Sequence, residues 1–212
     1  MPASTPLRSL PGRVRRKIRY ELGLPPHLRA VRRAEGLTSL HEAAMLYDLA
    51  RNVSDGCIVE VGSYRGRSSV ALGLGSLSGH KVDVFAIEPH EPFTSLGGGR
   101  QFGPEDRAAF FRAMTRTGAY KVVHLVNLPS TQAAAGWTRP IGLVFIDGDH
   151  SYDAVKSDLD SWEPHVVSGG IVVLDDVTEP DGGPHLVIER ALRPAGYRPL
   201  REVGKVAAFR KP

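Results

Sequence analysis

Three carboxylates stand directly after two predicted buried strands of this chain. Asp147 follows the uninterrupted apolar run 141–146, and Asp175 and Asp176 follow a second apolar run over 170–174. Because the carboxyl ends of parallel strands meet at one edge of a sheet, we expect the three side chains to be neighbours. Like charges this close are costly unless a cation neutralises them, and an all-oxygen ligand set suits Mg²⁺ or Mn²⁺. The sequence therefore predicts a divalent metal site at Asp147, Asp175 and Asp176, with turn capping as the alternative role of the last two.

A histidine that can move a proton lies close to the first of these carboxylates. His150 falls in the segment D-G-D-H-S-Y at 147–152. An imidazole with a pKa near 6.5 can accept a proton at neutral pH, and a divalent metal lowers the pKa of a hydroxyl that it binds. We therefore predict that His150 is the general base and that Asp147 takes part in catalysis with it. The alternative is that His150 only caps the following helix or orients Asp149, and His90 is a weaker candidate base.

A glycine turn follows the first predicted strand, Cys57–Val61, and leads into a helix. Its backbone N–H groups suit a polar cofactor, since glycines at a helix N-terminus allow a ligand close approach. The turn holds Gly62 and Gly66, but Tyr64 stands where the nicotinamide fingerprint has its second glycine. Glu60, just before the turn, would repel a pyrophosphate and attract an ammonium group. These features favour a cofactor with a cationic amino-acid end.

Polar residues also follow two other predicted strands. Glu88 ends the strand predicted over 81–87, where a carboxylate can accept hydrogen bonds from two adjacent ribose hydroxyls. NAD sites use the same position, so Glu88 does not separate the two cofactors. Ser130 comes after the strand predicted over 122–126, and it either contacts adenine or caps the short helix that it begins.

The Glu60 turn and the segment at 147–152 together resemble the class I S-adenosylmethionine-dependent methyltransferases. The resemblance is to their small metal-dependent O-methyltransferases, which include the catechol and caffeoyl-coenzyme A enzymes and methyltransferases that act on sugar hydroxyls. It covers roughly residues 37–178. By position, the resemblance implies an S-adenosylmethionine site formed by Glu60, Gly62, Tyr64, Gly66, Ser68, Glu88, Ser130 and Asp147.

The same resemblance implies a Mg²⁺-dependent (or Mn²⁺-dependent) O-methyltransferase that methylates a hydroxyl of a sugar or oligosaccharide in a biosynthetic pathway. Catechol-type enzymes usually carry Asp-Asn where this chain has Asp175-Asp176, and a lysine base where this chain offers His150. The exact ligand set and the base are therefore open. A phenolic or catechol acceptor is the alternative, and the aromatic content of 7% favours a polar acceptor.

Two other classes of protein fit the sequence less well. An NAD(P)-dependent oxidoreductase would carry the three-glycine turn, which is incomplete here. A nucleic-acid-binding methyltransferase is the alternative suggested by a basic N-terminal arm. Amino-group methyltransferases commonly carry Asn-Pro-Pro-Tyr after the fourth strand, where this chain has D-G-D-H, and Cys57 is misplaced for attack on a base. Both features argue against a nucleic-acid partner.

The N-terminal segment is strongly basic. We therefore divide the chain into a basic arm, residues 1–35, and a methyltransferase-like domain, residues 36–212. Only one acidic residue, Glu21, precedes residue 34, although the net charge of all 212 residues is +4. We interpret the arm as a contact in a homodimer or a cover over the active site.

No apolar run reaches the roughly 18 residues of a membrane span. The single cysteine, Cys57, is expected to be buried, and a cytoplasmic location is the default.

Alternating strand and helix patterns must position these residues. Apolar runs predict strands at 57–61, 81–87, 122–126, 141–146 and 170–174, with a closing hairpin at 198–202 and 205–209. Between them, helices are expected at 39–51, 68–77, 104–117, from 130, at 152–162 and at 184–192. The alternation predicts an α/β fold with a doubly wound, mostly parallel seven-stranded sheet and an antiparallel C-terminal hairpin. The Gly- and Pro-rich segment 89–104, with glycines at 97–99, is expected to be a mobile functional loop.

Overall fold

A mixed sheet forms the centre of the computed structural model, which describes residues 23–94 and 101–212. Within this part of the chain the sheet has seven strands in the order β5-β2-β1-β6-β7-β9-β8. The first five in that order are parallel, and β9 and β8 add antiparallel at the edge. The strands are β1 Cys57–Val61, β2 Val84–Ile87, β5 Val123–Val126, β6 Ile141–Ile146, β7 Val166–Leu174, β8 Arg198–Val203 and β9 Val206–Arg210. The predicted fold class is confirmed.

Helices cover both faces of the sheet. They are α1 Pro26–Arg33, α2 Leu40–Arg51, α3 Arg67–Ser78, α4 Pro104–Thr117, α5 Ser130–Ala135, α6 Tyr152–Trp162 and α7 Gly183–Val187, which continues as a π-helical turn over Ile188–Leu192. One apolar core lies between the sheet and α1 to α4, and a second lies between the sheet and α5 to α7. Because both faces are covered, every residue of β1 and β6 is buried.

Two strands begin more than one residue away from the predicted start. The strand β2 begins at Val84 instead of residue 81, because Lys81 has a φ of 58° and donates its N–H back to the Ser76 carbonyl at the end of α3. The strand β7 begins at Val166, four residues earlier than predicted, because a register shift lets Val166 pair with Ile141 before the main ladder. Neither start changes the carboxyl ends of the strands.

The N-terminal region joins the domain through α1. Val31 is fully buried in the first core, and the Arg67 guanidinium of α3 donates to the carbonyls of Ala34 and Thr38. Residues 26–34 therefore pack against the first core, and the boundary between arm and domain after residue 35 stays a prediction. Residues 1–22 of the predicted basic arm lie outside the described residues.

The segment predicted as a loop over 89–104 contains a short antiparallel pair. Its strands are β3 Phe93–Thr94 and β4 Gln101–Phe102. The glycines at 97–99 lie outside the described residues. Among the helices that the structure describes, none has the length and apolar character to cross a membrane.

Candidate active site

A cavity of about 940 Å³ opens at the carboxyl ends of β1, β2, β6 and β7. It has the size of a small-molecule site and lies where ligands bind in open parallel sheets. Most of the residues predicted for the cofactor, the metal and catalysis line this one cavity: Gly62, Tyr64, Ser68, Glu88, Ser130, Asp147, His150, Asp175 and Asp176. The sequence argument from strand ends therefore located the cavity, whereas Glu60 and Gly66 are not in its lining.

The glycines of the turn are required by the fold itself. Gly62 has a φ of 85°, and a Cβ added to it would lie 2.1 Å from the carbonyl oxygen of Asp147. Gly66 has a φ of 89° and would press a Cβ against Phe110 and Met114. Gly62 and Gly66 are therefore required because the chain after β6 and the side chains of α4 pack closely against the turn. The prediction had explained them by the close approach of a ligand. The turn still directs the N-terminus of α3 toward the cavity.

Glu60 lies beneath the turn and is fully buried. One carboxylate oxygen accepts a hydrogen bond from the Ser69 hydroxyl of α3, and the other oxygen, Oε1, has no partner among the described residues. Burial raises the pKa of Glu60 to about 7, although hydrogen bonds from Ser68 and Ser69 oppose the rise. Glu60 is therefore placed to fix the first turn of α3, including the cavity-lining Ser68.

Glu88 ties the glycine turn to the end of β2. Its two carboxylate oxygens accept the backbone N–H groups of Tyr64 at 2.9 Å and of His90 at 3.0 Å. The ring of His90 is buried, and its Nε2 lies 2.9 Å from the Tyr64 carbonyl oxygen. His90 does not line the cavity, so it serves the structure of the turn and is poorly placed to act as a base.

Backbone strain is concentrated around this site. Four non-glycine residues of the described chain have positive φ, and three of them are Tyr64, His90 and Asp176. Tyr64 and Asp176 line the cavity, and His90 contacts Tyr64. Such conformations persist only where the surroundings enforce them, and they are frequent at binding sites.

The predicted acidic cluster forms as expected, with His150 at its centre. The His150 Nδ1 lies 2.6 Å from Asp176 Oδ2, and its Nε2 lies 3.5 Å from Asp147 Oδ1 and 4.0 Å from Asp175 Oδ2. Burial, and then the nearby charge of Asp175, raise the pKa of Asp147 well above its usual value. The hydrogen bond from His150 lowers the pKa of Asp176. Within one cluster, the pKa values of Asp147 and Asp176 are therefore shifted in opposite directions.

The same contacts change the state of His150. Burial disfavours the imidazolium, but the nearby carboxylate of Asp147, the close contact with Asp176 and the charges of both outweigh burial and raise the pKa of His150 to about 10. In this arrangement the ring is protonated at neutral pH, and a protonated imidazole cannot accept a proton. The role of His150 as a general base stays a prediction, with the condition that its proton is first displaced.

Lys205 is a member of the cluster that the sequence analysis missed. Its Nζ lies 2.8 Å from Asp175 Oδ2 and 2.8 Å from Asp176 Oδ1. Burial alone would lower the pKa of the ammonium, but hydrogen bonds to the two carboxylates raise it. The antiparallel register brings Lys205 here: Leu174 pairs with Ala207, so two residues beyond Leu174 Asp176 faces Lys205. This register is set by the pairing of β7 with β9 and is not visible in the local sequence.

The residues present fit a divalent metal ion. Asp147, His150 and Asp175 each offer a ligand atom, and the three atoms lie within 4.8 Å of one another. The His150 Nε2 is buried without a hydrogen-bond partner, while Asp176 is occupied by His150 and Lys205. The two carboxylates suit Mg²⁺ or Mn²⁺, and an imidazole ligand, oriented from behind by Asp176, favours the transition metal Mn²⁺ over Mg²⁺. The three residues whose ligand atoms lie together are therefore Asp147, Asp175 and His150, whereas the predicted third ligand was Asp176.

Comparison with known proteins identifies the family to which the fold belongs. Residues 59–177 match the model of a family described as a methyltransferase domain. The methyltransferase PaMTH1 of Podospora anserina, solved with S-adenosylhomocysteine (SAH), is 17% identical with a TM-score of 0.63, and the match covers 100% of both chains. The O-methyltransferase TomG of Streptomyces achromogenes, solved with S-adenosylmethionine, is 17% identical with a TM-score of 0.63 over 92% of this chain and 95% of that chain.

A third solved structure is the O-methyltransferase from Bacillus cereus in complex with SAH. It is 17% identical with a TM-score of 0.56, over 92% of this chain and 88% of that chain. At these identities the likeness establishes a shared fold.

Proposed function

Because the chain belongs to the methyltransferase-domain family whose model its residues 59–177 match, we propose that it transfers the methyl group of S-adenosylmethionine to a hydroxyl of a sugar or oligosaccharide. The observation that carries the proposal is one cavity lined by the glycine turn, Glu88, Asp147 and His150 together. A cofactor and an acceptor bound there would lie next to each other.

The cofactor end offers groups that match S-adenosylmethionine. Ser63 and Ser68 line the cavity at the N-terminus of α3, where backbone N–H groups and the helix dipole favour a carboxylate. The Ser63 hydroxyl is buried and has no partner among the described residues, so it is available to a ligand. Glu88 uses its oxygens for two backbone N–H groups and retains lone pairs for ribose hydroxyls. Ser130 and Gly148 line the cavity near the end of β6, where we place the adenine ring.

The proton of the acceptor hydroxyl must leave as the oxygen attacks the sulfonium methyl group. We place this proton on the pair Asp147 and His150, which share a contact of 3.5 Å. His150, the predicted base, accepts the proton in its neutral form, and Asp147 lies beside its Nε2. Asp176 holds His150 in position through Nδ1. The methyl group then bonds to oxygen, and neutral SAH leaves.

A divalent metal completes the proposal. Asp147 and Asp175, with either His150 or the predicted Asp176 as the third ligand, would hold Mg²⁺ or Mn²⁺. When bound, the metal supplies a Lewis acid that lowers the pKa of the acceptor hydroxyl. Alignment of acceptor and cofactor in one cavity supplies the remaining catalysis, for which about 7–11 kcal/mol is attainable.

The acceptor end of the cavity favours a polar molecule. Charged side chains of the lining such as His150, Asp176 and Lys205 can hydrogen-bond several hydroxyls of a saccharide. The second candidate, a phenolic acceptor, draws support from Tyr64 and Phe102, whose rings make an edge contact with centroids 4.9 Å apart and line the same cavity. A homodimer and a cytoplasmic location remain predictions.

The test is transfer of a labelled methyl group from S-adenosylmethionine to a panel of saccharides and catechols in the presence of Mg²⁺. We expect label on a saccharide hydroxyl. Label on catechols alone would replace the acceptor class, and no transfer to any hydroxyl compound would contradict the proposed O-methylation.

A further inference from the structure

The acidic cluster already contains a cation that belongs to the chain. The Lys205 ammonium bridges two neighbouring carboxylates, with Nζ 2.8 Å from an oxygen of Asp175 and 2.8 Å from an oxygen of Asp176. Asp175 is only 4% exposed, so its charge needs a close counter-ion. Lys205 provides that counter-ion in the arrangement described here.

The backbone around Lys205 holds the ammonium in this place. Its N–H donates to Glu42 Oε1 at 3.2 Å, and its carbonyl accepts the N–H of Val177 at 3.0 Å. The other oxygen of Glu42 accepts the N–H of Ser39 at 2.7 Å in the capping box of α2. The preceding Gly204 has a φ of 61°, and a Cβ there would lie 2.3 Å from Glu42 Oε1. The hairpin turn is thus fixed to α2 on one side and to the end of β7 on the other.

Lys205 is held in place differently from an ordinary surface lysine. Lys156, for example, pairs with Asp160 one helical turn away, and the carboxylate of that pair is 61% exposed. Lys205 instead comes from a hairpin 30 residues beyond Asp175 and reaches into the cavity that also holds Asp147 and His150. Its position is therefore set by tertiary structure.

We propose that Lys205 competes with the divalent metal for the carboxylates of Asp175 and Asp176 and so sets the metal affinity of the site. An ammonium and a metal ion cannot both bind the same carboxylate oxygen closely. Two cations held by neighbouring carboxylates also repel each other. Metal binding must therefore displace the ammonium or share Asp175 with it. This inference rests on the metal site of the proposed function.

The test compares Mn²⁺ binding to the full chain and its variants, measured by electron paramagnetic resonance of free Mn²⁺ without acceptor. Lys205→Met removes the competing charge, and we expect at least tenfold tighter Mn²⁺ binding. Lys205→Arg retains the charge and should bind within threefold of the natural chain. Lys211→Met is the matched control, because Lys211 follows the same hairpin and bridges Glu163 at 2.9 Å, away from the cluster.

Thermal unfolding provides a second readout for the same variants. In the presence of EDTA, Lys205→Met should melt at a lower temperature than the natural chain, because Asp175 and Asp176 lose their counter-ion. Mn²⁺ should raise its melting temperature more than that of the natural chain. If Lys205→Met does not fold, Lys205→Gln serves in both measurements.

Equal or weaker Mn²⁺ binding by Lys205→Met would overturn the inference, and so would the absence of Mn²⁺ binding to every variant. Binding of SAH in the same samples separates this failure from failure of the proposed function. If SAH binds while Lys205→Met leaves the Mn²⁺ affinity unchanged, the inference about Lys205 is wrong, but the proposed methyl transfer is not contradicted. If SAH does not bind the natural chain, the proposed function fails, and Mn²⁺ affinity still decides the role of Lys205.

Discussion

Replacement of Glu60 by glutamine should make the stability of the protein depend less on pH. The pKa of Glu60 is about 7 in the folded chain and 4.5 ordinarily, because the carboxylate is buried. A carboxyl group with a raised pKa adds no cost while it is protonated, below its ordinary pKa. Its cost grows as the pH rises from about 4.5 to 7 and then stays constant. Each pKa unit corresponds to about 1.4 kcal/mol, so the full cost is about 3 kcal/mol.

The informative quantity is the difference in unfolding free energy between Glu60→Gln and the natural chain. From pH 5 to pH 8 this difference should change by roughly 2–3 kcal/mol in favour of the variant. A constant offset is also expected, because the glutamine amide needs new hydrogen-bond partners in a buried place. Urea unfolding at several pH values, without cofactor, measures both quantities.

Glu202→Gln on β8 is the matched control, since Glu202 is exposed and the same substitution there should leave the pH dependence unchanged. A difference between Glu60→Gln and the natural chain that stays constant from pH 5 to pH 8 would refute the reasoning about burial. The affinity for SAH should fall in Glu60→Gln, because Glu60 fixes the first turn of α3 through Ser69.

Three further perturbations test other parts of the site. His150→Ala should lower turnover by about 100-fold or more while SAH affinity stays within threefold, and normal turnover would remove His150 from the mechanism. Gly62→Ala should cost about 3 kcal/mol or more in urea unfolding, because its Cβ meets the Asp147 carbonyl. The control Gly118→Ala has a similar φ but open space, so it should cost about 1 kcal/mol, and equal costs would contradict the steric argument. EDTA should abolish methyl transfer and Mg²⁺ should restore it, whereas full activity in EDTA would exclude a metal requirement.

Much of the fold could be predicted because several elements carry strong local signals. The strand β6 is a continuous apolar run, and α4 begins at Pro104 and ends before Gly118. The helix α2 was predicted to start at residue 39, and in the structure Ser39 forms a capping box with Glu42 there. In each case the residues that begin or end the element lie within it or next to it, so the sequence alone contains the information.

The features that could not be predicted depend on contacts between distant parts of the chain. Lys205 reaches the acidic cluster only because β9 pairs antiparallel with β7. The burial of Glu60 depends on α3 covering the end of β1, and the strand pattern gave no sign of it. The role of Gly62 depends on the close approach of Asp147, 85 residues further along. Local patterns therefore located the cavity, and tertiary contacts determined the state of its charged groups.

The central claim, that the cavity binds the methyl donor, is tested most directly by thermal unfolding of the natural chain and of Glu88→Gln with saturating SAH. At one hundred times its dissociation constant, SAH should stabilise the natural chain by about 2.7 kcal/mol, which corresponds to a rise of roughly 5–10 °C. Glu88→Gln should show a smaller rise at the same concentration, and NAD⁺ should produce none. No rise with SAH, or a rise with NAD⁺ alone, would contradict the account.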